Sequence, residues 1–480
     1  MATNISARRV ASLVGDFDTS PAYAGLADAL RLLIGDGRIG LDVRLPSERE
    51  LTEAIGVSRT TVTRAYALLR ESGYAEARQG SGTFTRVPGG RRRAHDRAFY
   101  PGSAGEDAID LNCAAPSAPP GLAAAYAAAA EEIPAHLGGH GYFPYGLPVL
   151  REAIAATFEA RGLPTHPDQV MVTAGALAGA SIVAQAFTGP GDRVVVESPT
   201  YPNATAAIRH AGARVVPAPV DPDGWDIDAL SAVVRQAAPR LAYLIPDFQN
   251  PTGHLMSDTQ REQLAGTLRG SRTLAVVDEA HQALALDPVD MPRPFASYSP
   301  DAITIGSASK CFWGGLRLGW LRAPLEQMER LLTARTGLDL GAPVLEQLVL
   351  THLLTDTQGI REAHLVRLRD QRDALVGAVR AELPEWRFRV PAGGLVLWCE
   401  LPAALGTALT AEAERQGVVL APGPVFAVEG GLDRFVRLPW TRPADELVEA
   451  VRRLAAAWAE VRETTKARGP GRPGRPGLVA

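Results

Sequence analysis

Through the first eighty-odd residues apolar positions recur at helical spacing; further on they gather into short, wholly apolar runs. Residues 21–34 (PAYAGLADALRLLI) place apolar side chains on one face, and Gly35 and Gly37 follow as stop signals, so a helix is expected there. Ser47-Glu-Arg-Glu50, just after Pro46, has the form of a capping box and predicts a second helix through Ile55. Gly56-Val57 supplies a tight turn. Ser58 caps a third helix over 59–71, whose Val62, Ala65, Tyr66 and Leu69 fall at i, i+3, i+4, i+7 and mark a buried face. Arg59, Thr60, Thr61, Thr63 and Arg64 crowd its N-terminal end. Helix, short turn and helix with a basic, polar start form a helix-turn-helix pattern. Gly80-Ser-Gly-Thr-Phe84, between two β-like stretches, reads as a wing whose glycines let backbone approach phosphate.

From about residue 109 strands and helices alternate. Val170–Thr173, Arg193–Glu197, Leu241–Pro246, Leu274–Asp278 and Ala302–Gly306 are the candidate strands, and the alanine-rich stretch 123–130 is expected to be a helix. This pattern predicts an α/β domain with a mostly parallel sheet, whose ligands bind beyond the carboxyl ends of the strands. The domain plan expected is therefore 15–86 winged helix-turn-helix, 87–108 flexible basic linker, 109–465 α/β domain and 466–480 disordered Gly/Pro/Arg tail. The linker run Arg91-Arg-Arg93 reads as solvated charge, and so do the repeated Gly-Arg-Pro units of the tail.

Charge sharpens the division. The 480-residue chain carries a net charge of −4, yet residues 1–93 hold 14 arginines against 10 acids, a surplus of +4. Such asymmetry points to a nucleic-acid module joined to a domain of another kind. No apolar run is long enough to span a bilayer, and no signal-peptide core appears at the start. Three scattered cysteines, Cys113, Cys311 and Cys399, argue against a disulfide framework or a zinc site, so a reducing cytoplasmic setting and no metal are expected.

The basic residues number 49, but only Lys310 and Lys466 are lysines. Arginine pairs with anions but stays protonated; a desolvated lysine loses its proton and can attack an aldehyde. Lys466 falls in the expected tail, so Lys310, between an apolar strand and the turn Gly314-Gly-Leu-Arg317, is the candidate imine-forming lysine. Other strand ends carry matching groups. Thr173 is followed by Ala174-Gly175-Ala176-Leu177, a helix start with free N–H groups for a phosphate. Ser198-Pro-Thr-Tyr201 presents a ring that suits stacking on an aromatic cofactor. Asp247-Phe-Gln-Asn250 offers an amide donor for a phenolate-type oxygen. Asp278 closes a wholly apolar strand and, if buried, calls for a cation such as a protonated pyridine nitrogen. Arg317 suits the phosphate. Taken singly, each has a plain alternative: a helix start, a core tyrosine, a turn asparagine, a strand-end cap. Their common placement favours one site.

Two resemblances rest on these motifs. Leu45-Pro-Ser-Glu-Arg-Glu-Leu, Gly-Val-Ser-Arg-Thr-Thr-Val and Gly80-Ser-Gly-Thr-Phe84 resemble the GntR-type winged helix-turn-helix over roughly 20–86. That implies operator-DNA contacts by Arg49, Ser58, Arg59, Thr60 and Thr61, with Gly80 at the wing. Thr63 stands where some relatives have arginine, a role Arg64 is expected to take. Asn250-Pro-Thr-Gly253, Val277-Asp-Glu-Ala280 and Ser307-Ala-Ser-Lys310 with Arg317 resemble fold-type-I pyridoxal 5′-phosphate enzymes of the aminotransferase superfamily, with a small C-terminal α/β subdomain, over about 110–460. This implies Lys310 and Asp278 as catalytic groups and a cofactor shell of Gly175, Ala176, Leu177, Tyr201, Asn250, His281, Ser307, Ser309 and Arg317. It also implies Tyr142 reaching the neighbouring subunit's phosphate and Arg437 binding an effector carboxylate. His281 stands where many relatives have tyrosine. The pair of domains resembles the MocR subfamily of transcription regulators. The function expected is a homodimeric regulator that senses an amino compound or pyridoxal phosphate; the alternative is a working aminotransferase that carries a DNA-binding domain. No dinucleotide or Walker fingerprint occurs in a strand–helix context.

Overall fold

The computed structural model describes residues 4–35, 37–78, 80–88, 108–355 and 357–467. Most of the expected linker and tail, Arg91–Arg93 and the Gly-Arg-Pro units included, lie outside the described residues.

The N-terminal unit is helical with a two-stranded wing. Ser47 caps helix Glu48–Ile55, and the reciprocal Glu50 bond completes the capping box. Ser58 caps helix Arg59–Glu71, which buries Val62, Ala65, Tyr66 and Leu69. The Tyr66 hydroxyl donates to the Pro46 carbonyl at 2.8 Å and so fixes the entry to one helix against the core face of the other. Tyr66→Phe is expected to lower the stability of this unit by about 1 kcal/mol, measured by thermal unfolding followed by circular dichroism. Strands β1 (Ala75–Arg78) and β2 (Gly82–Thr85) pair antiparallel around Gly80, whose φ of 72° suits glycine. The boundary expected at residue 15 falls short. Helix Ala7–Val14 packs on Glu48–Ile55 and buries Val10 and Val14 in the same core.

The large domain is built on a seven-stranded sheet. Its strands are β4 (Val170–Thr173), β5 (Arg193–Ser198), β6 (Arg214–Pro219), β7 (Leu241–Leu244), β8 (Leu274–Asp278), β9 (Ile303–Ser307) and β10 (Gly319–Arg322), in the order β4-β10-β9-β8-β7-β5-β6. β10 alone runs antiparallel to its neighbours. Wholly buried, mostly apolar strands account for the apolar runs seen in the sequence. β6 and β10 were not expected. Pro217 and Pro219 mask β6, which tolerates them because it is an edge strand. β10 is four residues long and adjoins a glycine-rich turn. At Gly306 an added Cβ would meet the Trp320 ring at 2.1 Å, so β9 and β10 approach only because that position is glycine.

A smaller sheet has the order β11 (Val396–Glu400), β13 (Phe435–Pro439), β12 (Val418–Pro422), β3 (Ile109–Leu111). Its own apolar core includes Trp386, Trp440 and Trp458. β3, the first strand after the linker, is thus an edge of the C-terminal subdomain. The last helix, Ala444–Ala467, takes in residues 466 and 467, the first two of the expected tail.

Candidate functional site

The carboxyl ends of β4, β5, β7, β8 and β9 open on one edge of the large sheet, and the polar residues flagged in the sequence gather there. Ser307 ends β9 and accepts from the Ser309 N–H at 3.3 Å, which starts the short helix that carries Lys310. Lys310 Nζ donates to the Ala114 carbonyl at 2.8 Å. Burial, with Arg437 and Arg317 close by, holds its amine below the usual lysine range, although Cys113 and Asp278 pull the other way. A lowered pKa enlarges the neutral, nucleophilic fraction.

Asp278 ends β8 and is buried. It accepts from the Tyr243 hydroxyl at 2.5 Å and from the Ala280 N–H at 2.9 Å. Burial raises its pKa, and these hydrogen bonds and Lys310 only partly offset the rise. Asp278 makes no ion pair among the described residues. The adjacent Glu279 pairs instead with Arg161 at 2.6 Å.

Near Lys310 and Tyr201, Arg317 faces a helix start of the kind that can hold an anion. Helix Ala176–Phe187 starts at Gly175 without a side-chain cap, which leaves the N–H groups of Ala176 and Leu177 without helical acceptors. Gly175 has φ 94°, and an added Cβ would sit 3.1 Å from Arg317 Nη2. Arg317 itself takes a left-handed φ of 51°, uncommon for a side chain of its size. It donates to the Ala174 carbonyl at 3.4 Å and pairs with no carboxylate among the described residues.

Arg437, from β13, reaches the same edge. It donates to Asn250 Oδ1 at 3.2 Å and to the Asn112 carbonyl, and lies over the Phe426 ring at 4.7 Å. Its Nε is buried with no partner, and burial pushes the guanidinium down to about 10. Because Asn250 uses its oxygen on Arg437, its amide N–H groups remain as donors. The Tyr201 hydroxyl accepts from Asn203 at 3.0 Å, and its ring packs on the core beneath the site.

His281 is buried, with Nδ1 2.9 Å from the Phe248 carbonyl. A carbonyl only accepts, so Nδ1 carries the proton and Nε2 the lone pair. Burial first, then Lys310, pushes its pKa down to about 4, so the ring is neutral. Tyr142 stands apart: it is 57% exposed, stacks on His140 and hydrogen-bonds to none of these residues within the chain.

Three supporting residues were not anticipated. Tyr243 orients Asp278; its signal is the lone hydroxyl in the apolar strand Leu241–Leu244. Glu197, fully buried at the end of β5, accepts from Trp225 Nε1 at 2.8 Å, Gln249 Nε2 at 3.1 Å and the Ile245 N–H at 3.2 Å. Gln249 also donates to the Pro199 carbonyl at 2.8 Å, which ties the loop before Tyr201 to the loop before Asn250. Burial lifts Glu197 to about 7. A raised acid pKa means the folded state favours the protonated form. Stability from this group is full below the unfolded value and falls as pH rises through about 7. Glu197→Gln is therefore expected to flatten the loss of thermal stability between pH 5 and 8, a difference on the order of 2 kcal/mol. A parallel pH profile in both proteins would refute it.

The N-terminal unit presents a second polar surface. Arg49 and Arg59 are exposed; Arg49 pairs with Glu53 at 3.1 Å and Arg59 lies 3.8 Å from Glu48. Glu48 also accepts from Thr63 Oγ1 at 2.8 Å, so Thr63 braces one helix against the other. Ser58 and Thr61 are joined through their hydroxyls at 2.8 Å. Thr60 is exposed at the same helix start. Arg64 stacks over Tyr23 at 4.9 Å. No helix of the described residues is long and apolar enough to cross a membrane, and no group of side chains there suits a metal ion.

Comparison with known proteins assigns both units. Residues 107–454 match the family of class I and II aminotransferases, and residues 22–85 match the gntR family of bacterial regulatory proteins. The chain is similar to the uncharacterized HTH-type transcriptional regulator YdcR of Escherichia coli, 28% identical, covering 90% of this chain and 98% of that one. It is similar to the probable rhizopine catabolism regulatory protein MocR of Rhizobium meliloti, 28% identical, over 78% of this chain and 80% of that one. Among solved structures it resembles LysN, the alpha-aminoadipate aminotransferase of Thermus thermophilus complexed with N-(5′-phosphopyridoxyl)-L-leucine. That match has TM-score 0.68 and 31% identity, and covers 75% of this chain and 94% of that one.

Proposed function

The chain belongs to the class I and II aminotransferase family and carries a gntR-type DNA-binding domain ahead of it, and from that premise we propose a regulator of transcription whose DNA affinity is set by a small amino compound, or by pyridoxal 5′-phosphate itself. The observation that carries the proposal is the joining of a winged helix-turn-helix to a site fitted to pyridoxal phosphate, the cofactor of this family. The fit rests on chemistry present in the chain: a buried carboxylate that makes no ion pair among the described residues, an uncapped helix start facing an arginine that pairs with no carboxylate among them, and a lysine held below its usual pKa.

When bound, the cofactor supplies an aldehyde that condenses reversibly with amines and a ring that withdraws electrons. Lys310 would be the resident amine. Asp278 would hold a proton on the ring nitrogen. Gly175, Ala176, Leu177, Ser307, Ser309 and Arg317 would hold the phosphate, Tyr201 would lie against the ring, and Asn250 would donate to its phenolic oxygen. Arg437 takes a ligand carboxylate, which favours an amino acid over a simple amine. In a homodimer the exposed Tyr142 serves the partner's site. His281 contributes no donor to the phenolic oxygen, because its one proton is committed to the Phe248 carbonyl. That supports binding and slow exchange over rapid turnover.

Ligand binding alters operator affinity only to the extent that it favours one arrangement of the chain over another. A typical coupling is about 1–3 kcal/mol, and by linkage operator DNA must change ligand affinity by the same factor. The test is absorbance titration of the cofactor-loaded protein with candidate amino acids, with and without operator DNA, beside a multiple-turnover assay with a keto-acid acceptor. The rival reading, an aminotransferase with a DNA-binding appendage, is favoured by the complete site and wins if turnover is rapid and ligand affinity ignores DNA.

On the DNA side, Arg59→Ala is expected to cost roughly 1–3 kcal/mol of operator discrimination, if Arg59 makes a two-pronged base contact. Operator and random duplex binding are compared; equal losses would place Arg59 among phosphate contacts.

A further inference from the structure

The edge of the large sheet opposite the cofactor site carries a row of arginines. Arg193 opens β5 and lies directly across from Arg214, which opens β6. Arg240 immediately precedes β7, and its N–H donates to the Arg193 carbonyl at 2.7 Å, so it extends the row by one strand. Arg272 lies two residues before β8, held in the left-handed region at φ 52°. Four neighbouring parallel strands therefore have an exposed arginine at or just before their start, over roughly 14 Å at the usual strand spacing. They line a cleft of about 320 Å³ whose one acid, Asp192, already accepts from the Gly189 N–H at 2.9 Å. A second cleft, of about 540 Å³, continues from Arg240 and Arg272 to Arg269 and Arg330.

These six arginines form no ion pair among the described residues. Three of them rest on neutral carbonyls instead: Arg240 on Phe187 at 3.4 Å, Arg330 on Ala186 at 2.6 Å, and Arg269 on Tyr298. The chain is not short of acids, with 53 in all and a net charge of −4. Like charges set directly across a strand pair repel. The backbone at Arg272 adds strain for a side chain that is not glycine. Arg193, Arg214 and Arg240 are in register and Arg272 lies one residue further out; with Asp192 and Asp301 the only acids among the described residues that line the two clefts, such a row is a surface for an extended polyanion.

We infer that the Arg193–Arg214–Arg240–Arg272 row is a second DNA contact, which grips the phosphate backbone of duplex beyond the segment read by the winged helix. This rests on the DNA-binding reading of the N-terminal unit. The row lies away from the carboxyl-end edge, so cofactor and DNA do not compete for it. It carries no sequence information; its role is affinity and the path of the duplex.

The test uses the full-length, cofactor-loaded protein and random-sequence duplexes of about 15 and about 60 base pairs. Affinity is followed across a salt series for the parent, for Arg193→Ala/Arg214→Ala/Arg272→Ala, and for the reader variant Arg49→Ala/Arg59→Ala. With three phosphate contacts removed, the row variant is expected to bind the long duplex about tenfold more weakly. Its salt slope should be smaller by about 3, and the short duplex should be affected less. Thermal unfolding and cofactor absorbance report whether the variant is folded. If the row variant matches the parent on the long duplex while the reader variant loses binding, the row proposal falls alone. If neither variant changes binding, the DNA-binding reading falls with it. Loss on single-stranded RNA without loss on duplex would assign the row to another partner and also overturn the proposal.

Discussion

Lys310→Ala is expected to abolish covalent attachment of pyridoxal phosphate. The parent protein should show the visible absorbance of the attached cofactor. Borohydride should bleach it and leave a pyridoxyl group on the peptide that contains Lys310. The chain makes this a sharp test, because its only other lysine is Lys466. The position rather than the charge decides the outcome. Lys310 follows β9 at the carboxyl edge of the sheet, where burial and two nearby arginines depress its pKa. Lys310→Arg keeps a cation there but provides no amine for an imine, so it should fail in the same way. The phosphate cradle is untouched in both variants, so weaker, non-covalent retention of the cofactor is expected. The response of DNA affinity to an amino ligand should change in both, since the retained cofactor would then condense with the ligand without displacing a resident amine. Recovery of the label on Lys466 would move the site elsewhere.

The legible parts of this chain were those with local causes. The capping box at Ser47 and Glu50 and the cap at Ser58 depend on residues three apart, and both appear as expected. β4 and β8 keep the expected bounds because an all-apolar run ended by a polar residue has few other readings. What escaped depends on neighbours distant in sequence. β3 is a three-residue strand that means little until β12 lies beside it. Glu197 reads as an ordinary strand-end acid; only the approach of Trp225 and Gln249 makes it a buried one. The arginine row is invisible in sequence because Arg193, Arg214, Arg240 and Arg272 lie about twenty to thirty residues apart and meet only through strand register. His281 is legible in sequence as a departure from a tyrosine, but its tautomer follows only from the Phe248 carbonyl.

Asp278→Asn is expected to weaken cofactor binding by about two to three and a half orders of magnitude. Removing one member of a buried ion pair typically costs about 3–5 kcal/mol, because the remaining charge stays buried without a partner. Here that charge would be the protonated ring nitrogen, and of the other buried acids among the described residues Glu279 is paired with Arg161 and Glu197 is turned to Trp225 and Gln249. The substitution is nearly isosteric, so the parent's packing and its bond from the Ala280 N–H can be retained. Cofactor affinity is best measured in a Lys310→Ala background, where covalent attachment does not enter. There the dependence on pH isolates the carboxylate. Burial raises the Asp278 pKa in the chain itself, and a cation beside it lowers that pKa again. Binding the cofactor therefore releases a proton when Asp278 starts protonated, and affinity should fall as the solution is acidified through the carboxyl's own titration. With asparagine at the position this component of the acid-side fall should disappear. Equal affinities for the two proteins across the pH range would show that the ring nitrogen does not meet Asp278, and the orientation assigned to the cofactor would have to be abandoned.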